Sequence, residues 1–363
     1  MNYFNALIKP SSSSCNLKCK YCFYADEAQN RKVANYGFMT DDTMKNLITK
    51  IFDEIGDVKS TVTFAFQGGE PSLIGVSFFQ KFTDFVLKYN TKNHTVQYSF
   101  QTNGILIDDE FCTLFKKYDF LVGVSLDGEE IIHNQNRDNS YKKVMAAVKL
   151  LRKYDIRFNI LSVITSSSAH HPKALFNFYK KNKFLFVQTI PCLSSFEILK
   201  DEPYYLKPKD YGEFLKSFFF LYKKALYNNE YISIRYFDNV ILALSGKPVE
   251  QCGSMGNCTL QFVSEANGGI YPCDFYVLDN LRLGNINSNS IKELTQNKIA
   301  GEFLDASYKI NDYCKKCSFL NLCKGGCKRY RDFYLSEKEY CPIEDFLTSC
   351  IDDLKEIVVN FKI

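Results

Sequence analysis

Eleven of the fourteen cysteines in this 363-residue chain fall into two groups. Cys15, Cys19 and Cys22 lie on one short stretch, and eight more lie between Cys252 and Cys341; only Cys112, Cys192 and Cys350 stand apart. Disulfides are disfavoured in a reducing compartment, so thiols clustered in this way read as metal ligands. The four histidines, His94, His133, His170 and His171, do not alternate with the cysteines, which counts against a mixed cysteine–histidine zinc site. The fold therefore has to present one metal-binding loop near its start and a metal-binding segment near its end.

The remainder of the chain must supply a core. Its length suggests about two domains, and 46% of its residues are hydrophobic. A net charge of +4 with interspersed signs gives no electrostatic case for nucleic acid or an anionic membrane as partner. The first residues, MNYFNALIKP, lack the features of a secretory signal. The most apolar stretch, Phe214 to Leu226, is broken by Lys216, Lys223 and Lys224 and falls short of the ~20 apolar residues a membrane helix needs. A soluble, cytoplasmic protein is expected.

The first two-thirds alternate strand-like and helix-like runs. Strands are expected at Thr61–Phe66, Val96–Gln101, Phe120–Ser125, Phe158–Ile164, Phe184–Ile190 and Ile232–Tyr236. Most are nearly continuous apolar runs, as for strands covered on both faces. Amphipathic helices are expected at Asp41–Glu54, Phe78–Tyr89, Asp108–Lys117, Lys142–Tyr154, Pro172–Lys181 and Pro208–Tyr227, with starts marked by Asp41, Asp108 and Pro172. Such alternation means a parallel sheet with helical crossovers, an α/β fold. The polar, glycine-containing motifs QGGEP, TNG and LDG each follow a strand, where barrel-type α/β folds place their sites. From about Ser245 onward the chain is rich in cysteine and glycine, and this part is expected to fold around metal.

The first motif reads CNLKCKYCFY, a C-x3-C-x2-C spacing of Cys15, Cys19 and Cys22. Three thiolates on a short loop can hold three irons of a [4Fe–4S] cube and leave the fourth open to a ligand. A zinc loop is the bland alternative. Gln67-Gly68-Gly69-Glu70-Pro71 offers glycines that let backbone approach a ligand and a carboxylate that can meet an ammonium group; taken alone it is a turn. Asp127-Gly128 in SLDG reads equally well as a turn. The later cysteines run Cys252, Cys258, Cys273, then C-x2-C-x5-C-x3-C (Cys314, Cys317, Cys323, Cys327), then Cys341. Eight thiolates make two complete sets of four, for two clusters or two zinc ions. The basic stretch KGGCKRYR among them either offsets cluster charge or is plain surface. Cys112 and Cys350 read as ordinary buried or helix cysteines, and Cys192, after a strand, as a residue near the site.

Together CNLKCKYCFY, AFQGGEPSL, QTNGILID, LVGVSLDG, IRYFDN, YPCDFYVLDNLRLGNI and CKGGCKR, spread from Leu7 to Cys341, resemble the anaerobic sulfatase-maturating enzymes, a group of radical S-adenosylmethionine enzymes with a SPASM extension. The resemblance implies a partial (β/α)6 TIM-type barrel over residues 1–240 and a small cysteine-rich SPASM domain with a C-terminal helix over 241–363. It implies three [4Fe–4S] clusters and S-adenosylmethionine as cofactors. Cys15, Cys19 and Cys22 would hold the first cluster; Cys252, Cys258, Cys273 and Cys327 the second; Cys314, Cys317, Cys323 and Cys341 the third. Tyr21, Gly68, Gly69, Glu70, Ser125, Arg137 and Leu193 would contact the cofactor, and Asp274 would be the catalytic base.

The activity implied is oxidation of a sulfatase cysteine or serine to Cα-formylglycine. The partners implied are an unfolded sulfatase segment, an electron donor such as flavodoxin or ferredoxin, and no second copy of the chain. Gln67, Tyr24 and Arg235–Asp238 are expected to line the peptide groove. Two departures stand out: a short stretch after Arg137 and a short tail after Cys350. The alternative function is a maturase of a ribosomally made peptide, forming thioethers, carbon–carbon crosslinks or epimers; such enzymes often carry an N-terminal recognition domain, whereas here the cysteine loop begins at residue 15. A cluster-bearing electron carrier has no use for an open iron, and a zinc module would hold neither iron nor sulfide.

Overall fold

The computed structural model describes residues 3–196 and 202–361. The chain divides into two compact units that interleave along the sequence: residues 1–125, 137–158 and 260–303 form one, and 126–136, 159–259 and 304–363 the other.

In the first unit, strands β1 (Tyr3–Lys9), β2 (Thr61–Phe66), β3 (Thr95–Thr102) and β4 (Leu121–Ser125) are parallel neighbours in that order. Helices Asp41–Ile55, Val76–Tyr89, Asp109–Lys117 and Tyr141–Lys153 belong to the same unit. The strand expected at Val96–Gln101 is one residue longer at each end. Helix starts obey capping chemistry: Thr40 accepts from Thr43 N ahead of Asp41, and the Asp108 carboxylate accepts from Phe111 N at 2.9 Å. Along β2 burial alternates, with Val62, Phe64 and Phe66 in the core and Thr61, Thr63 and Ala65 half-buried. The expectation of strands covered equally on both faces fails here: the covered face is packed with Phe64, Phe66, Phe79, Phe82, Phe100 and Phe115, edge to face or tilted at 4.9–5.1 Å. The other face stays partly open.

β1 is absent from the expected strands, because YFNALIK mixes Asn5 and Lys9 into its apolar residues. It is nevertheless a central strand: β2 pairs on one side, and β8 (Val263–Glu265) pairs in parallel on the other. β9 (Gly269–Tyr271) and β10 (Gly284–Asn285) continue the sheet antiparallel. Residues 260–303 thus build core on a sheet, and the expectation that everything after Ser245 folds around metal does not hold for this part.

In the second unit, β5 (Phe158–Ile164), β6 (Phe186–Pro191) and β7 (Ser233–Ile234) are parallel. The strand expected at Ile232–Tyr236 shrinks to two residues, since Arg235 and Tyr236 open the helix Arg235–Leu244. The C-terminal tail is a 19-residue helix, Pro342–Asn360. Its Phe346 packs on Phe219 and Phe237, each 5.6 Å between centroids, and its Asp345 and Asp353 pair with Lys216 and Lys223. Cys350 is buried in that helix and Cys112 in the helix Asp109–Lys117, as expected of ordinary core cysteines. No helix among the described residues is long and apolar enough to cross a membrane.

Candidate active site

The carboxyl ends of β1 to β4 carry the motif residues of the first unit. After Lys9 the chain turns through Pro10–Ser14 into the cysteine loop, and Cys22 stands at the N-cap of the helix Phe23–Gln29. After β2 comes Gln67-Gly68-Gly69-Glu70, and its backbone is tied to the turn: Gly69 N donates to Ser12 O and Glu70 N to Ser14 O, both at 2.8 Å. Gly68 has φ +124, and a Cβ on Gly69 would run into the Ser14 carbonyl. These glycines admit a neighbouring protein backbone, the one that leads into Cys15. After β3, Asn103 Nδ2 reaches Cys15 Sγ at 3.8 Å and Asn16 Oδ1 at 2.7 Å. At the end of β4, Ser125 Oγ accepts from Gln101 Nε2 at 3.1 Å.

Glu70 is buried, and its carboxylate accepts from Ser72 N, Ser72 Oγ, Thr102 Oγ1 and Asn103 N at 2.6–3.0 Å. Burial raises its carboxyl above the ordinary range, and these donors act against that rise. In this arrangement Glu70 fastens the ends of β2 and β3 to each other. Arg137 lies beside the loop, with Nη1 3.9 Å from Cys19 Sγ and the guanidinium 5.3 Å from the Tyr21 ring. Cys15, Cys19, Cys22, Tyr21, Gly68, Gly69, Glu70 and Arg137 are therefore gathered at one end of the sheet. The thiol of Cys15 is pushed up to about 11 by the protein packed around its sulfur, even though part of the residue stays exposed, and Glu70 and Cys22 add to the rise. A bare thiolate is disfavoured there, and bound metal reverses that preference.

Asp274, directly after Cys273, belongs to the same unit. Its backbone N donates to Gln261 Oε1 at 2.9 Å, Gln67 Nε2 donates to its Oδ2, and Lys9 Nζ lies 2.7 Å from its Oδ1. Sequence reasoning missed Lys9, Asn103, Arg31 and Glu265. The signal for Lys9 was a lysine closing an alternating strand. Tyr24, expected in a peptide groove, is turned into the core instead, with its hydroxyl donating to Glu265, which also pairs with Arg31 at 2.8 Å. Likewise Asp238 is held by Tyr222 and Ser233, and Arg235 forms a two-point pair with Glu250 at 2.7 Å and 2.7 Å.

Glu27 is fully buried and feels the charge of Lys9. Burial pushes its carboxyl well above the ordinary glutamate range; the charge of Lys9, a backbone N–H from Val277 and the charge of Arg31 oppose this, and the charge of Asp274 adds to it. The folded chain therefore keeps a proton that the unfolded chain loses above about pH 4.3. Stability contributed here declines as pH rises past that point towards the folded-state value. Thermal midpoints of Glu27→Gln and the parent should diverge as pH rises above about 4.3, with the variant gaining; parallel curves would refute a buried neutral acid.

In the second unit, Cys314, Cys317, Cys323 and Cys341 line one cavity together with Tyr313, Phe319 and Leu320. Burial raises the Cys323 thiol to about 12, as do the three other thiols. Four thiols share a cavity that Glu344 and Tyr313 also line, a number of sulfur donors that would suit a four-iron cube. Cys252, Cys258 and Cys327 feel one another's charge, and a Cβ added to Gly253, next to Cys252, would stand 3.3 Å from Cys327 Cβ. Cys273 belongs to the first unit, and Leu193, buried after β6, to the second. Cys192 is buried, and its thiol is raised to about 12. The basic stretch divides in two. Lys324 is exposed, whereas Arg331 is buried and donates to the carbonyls of Gly325, Gly326, Ser307 and Lys309, bracing the loop between Cys323 and Cys327.

The fold and these thiol sets define a class. Residues 10–178 match the radical SAM superfamily, and residues 252–318 match SPASM, an iron–sulfur cluster-binding domain. A cysteine-type anaerobic sulfatase-maturating enzyme of Clostridium perfringens is 44% identical over 90% of this chain and 89% of its own length. A serine-type counterpart from Bacteroides thetaiotaomicron is 29% identical over 90% of this chain and 82% of its own. The solved structure of native anSMEcpe with bound AdoMet and the Kp18Cys peptide superimposes with a TM-score of 0.90 at 40% identity, covering 99% of both chains. This chain belongs to the anaerobic sulfatase-maturating enzymes, and its α/β fold is the partial radical SAM barrel followed by a SPASM region.

Proposed function

We propose that this protein oxidises the active-site cysteine of a sulfatase to Cα-formylglycine, using S-adenosylmethionine and three [4Fe–4S] clusters. The observation that carries the reading is the approach of Lys9, at the end of β1, and of Gln67, just after β2, to Asp274, at the strand ends from which the Cys15–Cys22 loop also leaves. Cysteine is favoured over serine as the target because identity is 44% to the cysteine-type relative and 29% to the serine-type one.

By the family resemblance Cys15, Cys19 and Cys22 would hold the first cluster; Cys252, Cys258, Cys273 and Cys327 the second; Cys314, Cys317, Cys323 and Cys341 the third. Tyr21, Gly68, Gly69, Glu70, Ser125, Arg137 and Leu193 form the cofactor's surroundings. When bound, the first cluster with S-adenosylmethionine would supply hydrogen-atom abstraction at the substrate Cβ, and an auxiliary cluster would supply a one-electron acceptor. Asp274 takes the thiol proton, so that carbon and sulfur become doubly bonded. Water then displaces sulfide and leaves the aldehyde. Functionally, residues 1–240 supply the radical chemistry and 241–363 the auxiliary clusters. The substrate is an extended, unfolded peptide, the reductant a flavodoxin or ferredoxin, and the enzyme a cytoplasmic monomer.

The test is anaerobic incubation of the reconstituted protein with S-adenosylmethionine, reductant and a cysteine-containing sulfatase peptide. Loss of about 18 Da, a hydrazine-trapped aldehyde and 5′-deoxyadenosine are expected. Deoxyadenosine formed alongside a thioether or epimer in a different peptide would favour a peptide maturase instead.

A further inference from the structure

Lys9 is a buried cation that the motifs leave unexplained. Its side chain is fully sealed from solvent, and burying an ammonium is costly unless it is paired. Tyr24 presents its ring face 3.5 Å from Nζ, a cation–π contact that supports the charge from below. Three carboxyl groups lie in the neighbourhood. Glu265 is matched by Arg31 and by the Tyr24 hydroxyl. Glu27 is a desolvated acid that favours its neutral form. Asp274 remains, 2.7 Å from Nζ, and its side chain is 11% exposed.

Asp274 is thus held from two adjacent strands: Lys9 ends β1, and Gln67 follows β2. Each takes one carboxylate oxygen, while Gln261 fixes the backbone N–H. With Gln67 hydrogen-bonded to one oxygen and the Lys9 charge set against the other, rotation about the Cβ–Cγ bond disturbs at least one of the two contacts. We infer that Lys9 is a positioning residue for the reaction, a fixed counter-charge that holds the Asp274 carboxylate in one orientation beside Cys273. The inference rests on Asp274 as proton acceptor, which is the reading given above.

The test compares Lys9→Met with the parent, Asp274→Asn and the double variant, all carrying their clusters. Radical formation does not involve Lys9, so Lys9→Met should form 5′-deoxyadenosine within about twofold of the parent while formylglycine falls by about 100-fold. The double variant should be no worse than Asp274→Asn, as residues acting through one group are not additive. An unchanged formylglycine-to-deoxyadenosine ratio, or a parallel fall of both products, would overturn the inference. A second measurement is independent of activity. Lys9→Met leaves a carboxylate without its counter-ion and should lower the melting midpoint by about 5 °C, with Asp274→Asn recovering most of that loss. Additive melting shifts would also overturn it. A parent enzyme that cleaves S-adenosylmethionine but makes no aldehyde would refute the proposed function, and the melting comparison would still decide on the pair.

Discussion

Asp274→Asn is expected to form 5′-deoxyadenosine at close to the parent rate while formylglycine production falls by about 10²- to 10⁴-fold, the range a general base contributes. Asparagine has nearly the size and shape of aspartate, so the Gln261 contact to the backbone survives. Its amide has one oxygen, however, and that oxygen serves either Lys9 or Gln67, not both. The variant retains hydrogen abstraction and loses the group that takes the thiol proton. Peptide returned with deuterium or solvent hydrogen at Cβ would record the abandoned radical. Formylglycine made at the parent rate would remove Asp274 from the mechanism.

Gly69→Ala is expected to cost the enzyme its first cluster. A Cβ at this position meets the backbone of the cysteine loop, with Ser13 C at 2.8 Å and Ser14 C at 2.6 Å in addition to the Ser14 carbonyl oxygen. Backbone on both sides cannot swing away as a flexible side chain would. Relief moves either the QGGE turn or the Pro10–Ser14 turn, and both hydrogen bonds between them, Gly69 N to Ser12 O and Glu70 N to Ser14 O, are strained together. Iron should fall from about twelve to about eight per chain, and deoxyadenosine formation should vanish. Gly301→Ala is the control: it lies in the helix Lys298–Ser307 with nothing within 4 Å of a new Cβ, and iron content should stay at the parent level. Full iron and full deoxyadenosine in Gly69→Ala would mean that the loop does not depend on this approach.

The same site shows where sequence reading succeeds and where it stops. Local periodicity located β2, β3, β4 and β5 to within a residue, because short runs of apolar and β-branched residues carry the strand signal locally. It lost β1, whose Asn5 and Lys9 break the apolar pattern. It also overextended Ile232–Tyr236, where the helix Arg235–Leu244, capped by no side chain, begins without a sequence mark. The role suggested for Tyr24 failed for a related reason: a polar side chain near a motif can face the groove or find a partner in the core, and composition does not tell which.

Thiol spacing put Cys15, Cys19 and Cys22 on one short loop, whereas the grouping of Cys314, Cys317 and Cys323 with the distant Cys341 rather than with Cys327 came only from the family resemblance. The order of strands and helices that makes a parallel sheet was legible from the sequence alone. The tertiary structure decided what lies against what across long separations: β8 beside β1, Asp274 against Lys9 and Gln67, Arg31 and Tyr24 on Glu265, and Gly69 against Ser14. Periodicity reports that a side chain is buried, whereas its partner depends on strand order and register, which the chain settles only when its buried charges and backbone groups are all satisfied together.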